Sequence, residues 1–400
     1  VVPDGNFKTS KASGVWDINE ALDLIKGGNW PNAANLDPAS FVDALFSTFV
    51  YQGDGNSNRD IVNGINLSDN GGLVWLKTRG TSYNHYLNNP GEFTGYAQLP
   101  STNAWTTSGN FVTNNNNGFR IPVAYSGANA TNSTQSMVAW TFRKQPKFFD
   151  IVTYNSSSGN VTNFGSAGAT VDHNLGSVPG MIIVKCTDTG STNWKVYHRG
   201  LNGGTNPEEY EIELNQNGAQ ADSANSWNDT APTSTQFTLG ASGDVNNGSR
   251  SYVAYLFAHH NDDGGFGEPG DQDIIKCGTY TGNAGNPQVI DVGFEPQFLM
   301  VKAASTSGDW FVVDNIRGVL PNGDYPCQNL YWNKADAETL AGSFGFFENG
   351  FTAAQSSSTN GSGVTFIYMA IRRGGMQTPT TASDVFAVDS LGSTGDGAKP

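Results

Sequence analysis

The chain has 400 residues, 37% hydrophobic, 12% aromatic and only 14% charged, with 49 glycines and a formal net charge of −15. So much aromatic and apolar content excludes a disordered chain, and the shortage of Lys, Glu and Leu argues against a helical one. The carboxylate excess, with no cluster among the 21 basic residues, excludes a binder of phosphate backbones, so no nucleic-acid partner is expected.

The first predicted element is a short helix, with Asp17 as cap and Glu20 placed to reach back in a capping box. Ala21, Leu22, Leu24 and Ile25 form its apolar side and Gly27-Gly28 its stop. Residues 1–40 read either as a docking arm or as an N-terminal arm that is merely packed. After them, one strand-rich pattern of roughly 115 residues is written three times. The first copy, 41–147, carries Tyr51-Gln52-Gly53, Leu73-Val74-Trp75-Leu76-Lys77, Gly118-Phe119 and Met137-Val138-Ala139-Trp140. The second, 148–263, carries Tyr154, Met181-Ile182-Ile183-Val184-Lys185, Trp194, Arg199-Gly200, Gln236-Phe237 and Tyr252-Val253-Ala254-Tyr255. The third, 264–376, carries Cys277-Gly278-Thr279-Tyr280, Pro296-Gln297-Phe298-Leu299-Met300-Val301-Lys302, Trp310, Arg317-Gly318, Gly350-Phe351 and Tyr368-Met369-Ala370-Ile371. The first copy lacks the Arg-Gly step, because Arg79-Gly80 follows Lys77 too closely. Residues 377–400 are a tail or the start of a further domain.

The spacing supports repetition. Ala139, Ala254 and Ala370 fall 115 and 116 residues apart, and Lys77, Lys185 and Lys302 fall 108 and 117 apart. A period this long lets each copy bury its own core, so three tandem domains are expected and not a solenoid. Short apolar runs bounded by Gly and Pro, such as Met181-Ile182-Ile183-Val184, have the pattern of strands buried on both faces. With turn-forming Gly, Asn, Ser and Thr between them, they predict an all-β chain of three antiparallel β-sandwich repeats preceded by a short helix-containing arm. No stretch of 18 apolar residues occurs, so no membrane span is expected. Three cysteines at no metal-ligand spacing point to free thiols or one incidental disulfide.

Catalytic chemistry is hard to find. The chain has no G-x-S-x-G elbow, H-E-x-x-H helix or phosphate loop. Its five histidines lie scattered in polar loops and at strand ends. Paired carboxylates for glycoside hydrolysis leave no linear motif, and Asp309, Asp314, Glu208-Glu209 and Asp324 are available without a distinguishing context. The run 259–273 offers calcium an oxygen-rich, Gly-containing loop through Asp262, Asp263, Asp271 and Asp273. The alternative is a solvated acidic linker between the second and third copies, and no other cofactor is expected. Trp194 and Trp310, with Arg199 and Arg317, read as residues the fold requires, the arginines pairing back from a turn. A ligand pocket is better sought where the copies differ, at Tyr83, His85 and Tyr86 or at Tyr331 and Trp332.

The quoted order, from a tyrosine turn through a P-x-[FLI]-[LIV]-x-[VI]-K strand, a tryptophan and an R-G step to a closing Y-[VM]-A strand, resembles a repeat of virion structural and tail-fibre-like proteins of marine bacteriophages. Ser13-Gly14-Val15-Trp16-Asp17-Ile18-Asn19-Glu20 is similar to the lead-in of such repeats. The resemblance covers most of residues 10–375 and implies laminin-G-like or jelly-roll-like sandwiches in a non-enzymatic virion component. It implies a tail fibre or other surface appendage, at the virion surface or tail and extracellular, that works in host attachment. Expected partners are other virion proteins, further copies of the chain in a homo-oligomer, with a trimer favoured by family analogy, and host-surface glycans. Independent sandwiches strung along a stalk would suit that role. The alternatives are a capsid-decorating or tail-assembly protein, a polysaccharide-degrading tailspike and a secreted carbohydrate-binding module.

Overall fold

A computed structural model describes residues 40–374, apart from 93, 108–111, 125–126, 130–135, 268–269, 286 and 320–326. The expected N-terminal helix and the segment 377–400 lie outside the described residues. The fold is all-β, with 42% strand against 6% helix, in several antiparallel sheets.

The first stretch contains β1 (Phe46–Gln52), β2 (Arg59–Val62), β3 (Gly72–Thr78), β4 (His85–Asn88), β5 (Ala97–Leu99), β6 (Thr113–Asn115), β7 (Gly118–Ile121) and β8 (Ser136–Arg143). They form a larger sheet, β1-β8-β3-β4-β5, and a smaller one, β2-β7-β6. The second contains β9 (Phe149–Tyr154), β10 (Val161–Thr162), β11 (Ala169–Asp172), β12 (Met181–Cys186), β13 (Lys195–His198), β14 (Tyr210–Glu213), β15 (Ala221–Asp222), β16 (Gln236–Leu239) and β17 (Tyr252–Phe257). Its sheets are β15-β14-β13-β12-β17-β9 and β10-β11-β16. The third contains β18 (Ile275–Thr281), β19 (Gln288–Asp291), β20 (Pro296–Ala303), β21 (Trp310–Asp314), β22 (Cys327–Tyr331), β23 (Thr339–Ala341), β24 (Phe344–Phe347), β25 (Gly350–Ala353) and β26 (Thr365–Arg372). They pair as β18-β26-β20-β21-β22-β23 and β19-β25-β24.

In each larger sheet the last strand of the stretch lies between the first strand and the strand whose second-last residue is the lysine. Side chains alternate faces along a strand, and β3 and β20 use both. Val74 and Leu76 pack with Ile61, Phe119 and Ile121 of the smaller sheet, while Leu73 and Trp75 turn the other way into a larger cluster. Likewise Leu299 and Val301 join Ile290 and Phe351, and Phe298 and Met300 join the larger cluster. That cluster also takes Met181, Ile183 and Tyr255 from the second stretch. Independent units strung along a stalk are therefore not what the described residues form: one buried core runs through all three stretches. The continuous apolar runs have this cause, since neither face of those strands meets water.

Strand register tests the spacings. Lys77 pairs with Val138, Lys185 with Val253 and Lys302 with Ile367, so the lysines are equivalent. The alanines are not all equivalent. Ala139 faces Leu76 and Ala254 faces Val184, but it is Tyr368 that faces Val301, two residues before Ala370. A two-residue shift keeps the same face, so the spacing alone hid it. The opposite neighbours compensate. Ala139 lies across from Phe49 and Ala254 from Val152, whereas Tyr368 lies across from Gly278, where an added Cβ would overlap the tyrosine hydroxyl. Tyr51, Tyr154 and Tyr280 hold one further shared place, each hydroxyl donating to a loop carbonyl, of Ala128 (2.5 Å), Val245 (2.8 Å) and Thr359 (2.6 Å). The three cysteines are free and buried.

Candidate functional site

Three seams join the stretches, made by equivalent places on each. The buried Lys77 ammonium donates to the carbonyls of Thr78 (2.8 Å) and, in the third stretch, Ala335 (3.1 Å). Lys185 donates to Thr192 and, in the first stretch, to the Thr102 carbonyl at 3.0 Å. Lys302 donates to Ala303 and, in the second stretch, to the Gly218 carbonyl at 2.9 Å. Burial lowers all three ammonium pKa values to about 8. On the adjacent strand the same direction is followed. The Trp194 indole donates to Ser101 of the first stretch and the Trp310 indole to Glu213 of the second, both carbonyls at 3.0 Å. In the first stretch His85 holds the tryptophan's place. Its Nδ1 accepts from the Trp75 indole (2.9 Å), which leaves Nε2–H to donate to the carbonyls of Tyr331 (3.0 Å) and Lys334 (3.1 Å) in the third. The first stretch leans on the third, the third on the second and the second on the first.

The residues singled out for ligand binding fall largely into this packing. His85, Tyr331 and Trp332 do meet, at the seam between the first and third stretches. There Trp332 stacks on Trp75 with ring centroids 4.3 Å apart. His85 and Trp332 are completely buried, and burial drives the His85 pKa well below the usual histidine value. Tyr86 is buried against Tyr96, Tyr83 is half-buried, and half-buried Tyr331 carries the Lys334 ammonium over its ring. These groups build a seam rather than an open ligand pocket. In the 259–273 run, Asp263 accepts from the Asn261 amide (2.8 Å), and Asp273 from those of Asp262 (2.8 Å) and Gly264 (3.0 Å). Asp262 and Asp271 are exposed. Among the described residues no group of three or more His, Cys, Asp or Glu is placed to hold a metal ion.

The two arginines behave differently. Arg317 pairs back as expected and is buried, giving Nε to Asp314 (2.7 Å), a second nitrogen to Glu338 (2.8 Å) and a third to the Val312 carbonyl (3.0 Å). Asp314 also accepts from the indole of Trp140 in the first stretch at 3.0 Å. The pairing of His198 with Met181 and of Asp314 with Phe298 makes those two positions equivalent, four residues before the lysines. Arg199 therefore corresponds to Asn315, and Arg317 lies two residues beyond. Arg199 is exposed and, among the described residues, has no ion-pair partner.

Beside Arg199, where the second and third stretches meet, lies a cleft of about 700 Å³. Arg199, Lys147 and Lys276 bring three cations to it, against the one carboxylate of Asp263. Lys276 has no ion-pair partner among the described residues, and Lys147 is held by the Asp263 carbonyl at 3.3 Å. Ser177, Thr279 and Tyr368 add hydroxyls. His259 accepts the Cys277 amide on Nδ1 (3.3 Å), so its neutral ring carries the hydrogen on Nε2. Burial, then the charges of Arg199 and Lys276, lower its pKa to about 4. Burial pushes the Cys277 thiol up to about 12, so it is no nucleophile. The stretches close tightly under the cleft because Gly180 leaves room for Cys277 and His259, and Gly200 for Thr279.

Sequence reasoning missed this cleft. Its signal was a difference between copies: Arg199 against Pro90 and Asn315, and Lys276 against Asp150 and Ser47, which the strand pairings put in register. A family model described as a domain of unknown function (DUF7483) matches residues 42–373. No curated protein and no solved structure matches the chain.

Proposed function

The chain belongs to that family of unknown function, and we propose that it is a structural component of a bacteriophage particle, a tail fibre or other surface appendage that contacts the host envelope. In this reading three β-sandwich repeats, each made of a larger and a smaller sheet, close within one chain into a ring about a pseudo-threefold axis. The observation that carries it is the cyclic order of the seam contacts, in which equivalent lysines and the Trp-or-His position beside them each reach one neighbour in the same direction. Closed threefold rings commonly come from three chains; here the threefold geometry is internal. The resemblance of the motif order to tail-fibre-like repeats supplies the particle, and the ring supplies a rigid body for its appendage.

A body of this kind would act by presenting loops and seam clefts to a surface. Several weak contacts would be multiplied when many appendages engage together, raising effective concentration without a single tight site. Electron cryomicroscopy of the native assembly, traced to side chains, tests the proposal. The expected density is one chain per threefold-like knob, attached to a tail or capsid through its N-terminal arm. A knob built from three chains would refute the ring, and a free monomer outside any particle would refute the virion role. Reducing ends released from host polysaccharide would point instead to the tailspike alternative.

A further inference from the structure

We propose that the cleft between the second and third stretches, around Arg199 and Lys276, binds an acidic sugar, a saccharide bearing a carboxylate or sulfate. The inference goes beyond the virion reading and does not depend on it. In a chain of net charge −15, three cations against one carboxylate in a single cleft is a local reversal of sign. Two of these cations, Arg199 and Lys276, are unpaired among the described residues, so nothing in the fold uses their charge.

The other seams act as internal controls. At the corresponding place between the third and first stretches lies a smaller cleft, about 200 Å³, lined by Asn315 and Ser47 where Arg199 and Lys276 would stand. Between the first and second stretches the register puts Pro90 and Asp150 there, and Asp150 is occupied by the amides of Ile151 (2.9 Å) and Asn174 (2.8 Å). Ring closure therefore needs neither cation, since two seams close without them. What remains for the pair is a ligand. A guanidinium presents forked donors that match a carboxylate or sulfate, and an ammonium adds a point charge. His259 Nε2–H is a neutral donor beside them, and the half-buried Thr279 hydroxyl, which donates to the Phe366 carbonyl (2.8 Å), keeps lone pairs to accept from a sugar hydroxyl. A volume of about 700 Å³ lies within the range of small-ligand sites.

The test is calorimetric titration of the full chain at low salt with galacturonate, galactose 6-sulfate, galactose and inorganic sulfate. Binding of either acidic sugar, with none of galactose, is expected. Arg199→Ala and Lys276→Ala should each weaken it about tenfold, the loss of one charge-assisted contact, and added salt should weaken it further. The His259 ring nitrogens, followed by NMR, should shift on binding, and their pKa should rise as a bound anion offsets the Arg199, Lys276, Lys147 and His260 side of the cleft opposite Asp263. No binding of either acidic sugar would overturn the proposal. Equal affinity for inorganic sulfate would overturn its sugar part, and binding unchanged in both variants would overturn its location.

Discussion

The seam between the third and first stretches and the seam between the second and third are built on one plan and finished differently. In the former, Asp314 takes the Trp140 indole and the Arg317 Nε–H, Glu338 takes a second nitrogen of Arg317 and also Arg79 (2.8 Å), and Trp75 and Trp332 stack. Asp314, Glu338, Arg79 and Arg317 answer one another's charges there. In the latter, His198 stands where Asp314 does and, accepting the Gly200 amide on Nδ1 (3.0 Å), donates from Nε2 to the Tyr368 carbonyl (3.0 Å). Arg199 is left facing the cleft. A neutral ring at that position closes the backbone contact without consuming a cation, which is how the same geometry yields a lock at one seam and an open site at the other.

Breaking the lock should have the largest effect. Asp314→Ala leaves the buried Arg317 without its nearest carboxylate and the Trp140 indole without an acceptor. A loss of about 3–5 kcal/mol in unfolding free energy is expected, read by denaturant titration. A loss under 1 kcal/mol would mean that the seam does not depend on this pair.

Next in size is the exchange of bulk at the open seam. Gly278→Val should cost about 1–3 kcal/mol by driving the new side chain into Tyr368, and Tyr368→Ala about 3 kcal/mol by leaving a cavity. Together they recreate the Val152–Ala254 pairing of the second stretch. The double variant should therefore be more stable than the sum of the single losses predicts, by roughly 0.5–3 kcal/mol. Additivity would mean that the two positions do not compensate.

Acid and alkali should separate the buried groups. The depressed pKa values of His85, His198 (about 3) and His259 (about 4) mean that the unfolded chain takes up protons first as pH falls. Stability should then drop from about pH 6.5 toward pH 4. Lys77, Lys185 and Lys302, lowered to about 8, lose protons in the folded state while the unfolded chain still holds them, so stability should rise above pH 8. Cys277 and the buried tyrosines, all raised, act in the opposite direction and should bring a maximum at about pH 9–10. Lys302→Met should remove about a third of the alkaline rise, one of three equal contributors. Unfolding curves across pH would show it.

What the sequence made legible was whatever the backbone writes into side-chain type. The apolar runs gave β3, β12 and β20, and the lysines near their ends hold matching places in the strand register. The seams stayed hidden because their acceptors are carbonyls, which any residue supplies: Ala335, Thr102 and Gly218 have nothing in common as side chains. His85 looked like a residue peculiar to one copy, yet it replaces a tryptophan at a place where only a ring N–H donor is needed. Arg199 and Arg317 looked alike because each precedes glycine, and only strand pairing shows them two positions apart. The cleft could not be read at all without that correction, since its cations come from the end of β13, from β18 and from a loop.

The smallest effect on stability should come from Arg199→Ala, and its smallness is what makes it informative. The side chain is exposed and has no ion-pair partner among the described residues, so truncation breaks no ion pair there. It also lies close enough to Lys276 that both depress His259, which places two like charges in one field. Removing one relieves repulsion, so the denaturation midpoint should stay unchanged or move slightly upward, and the His259 pKa should rise. Arg317→Ala, in the same experiment, should unfold far more readily, because it strips Asp314 and Glu338 of their shared cation. If Arg199→Ala proved comparably destabilising, Arg199 would be bracing its seam as Arg317 does, and the contrast between a lock and an open site would collapse.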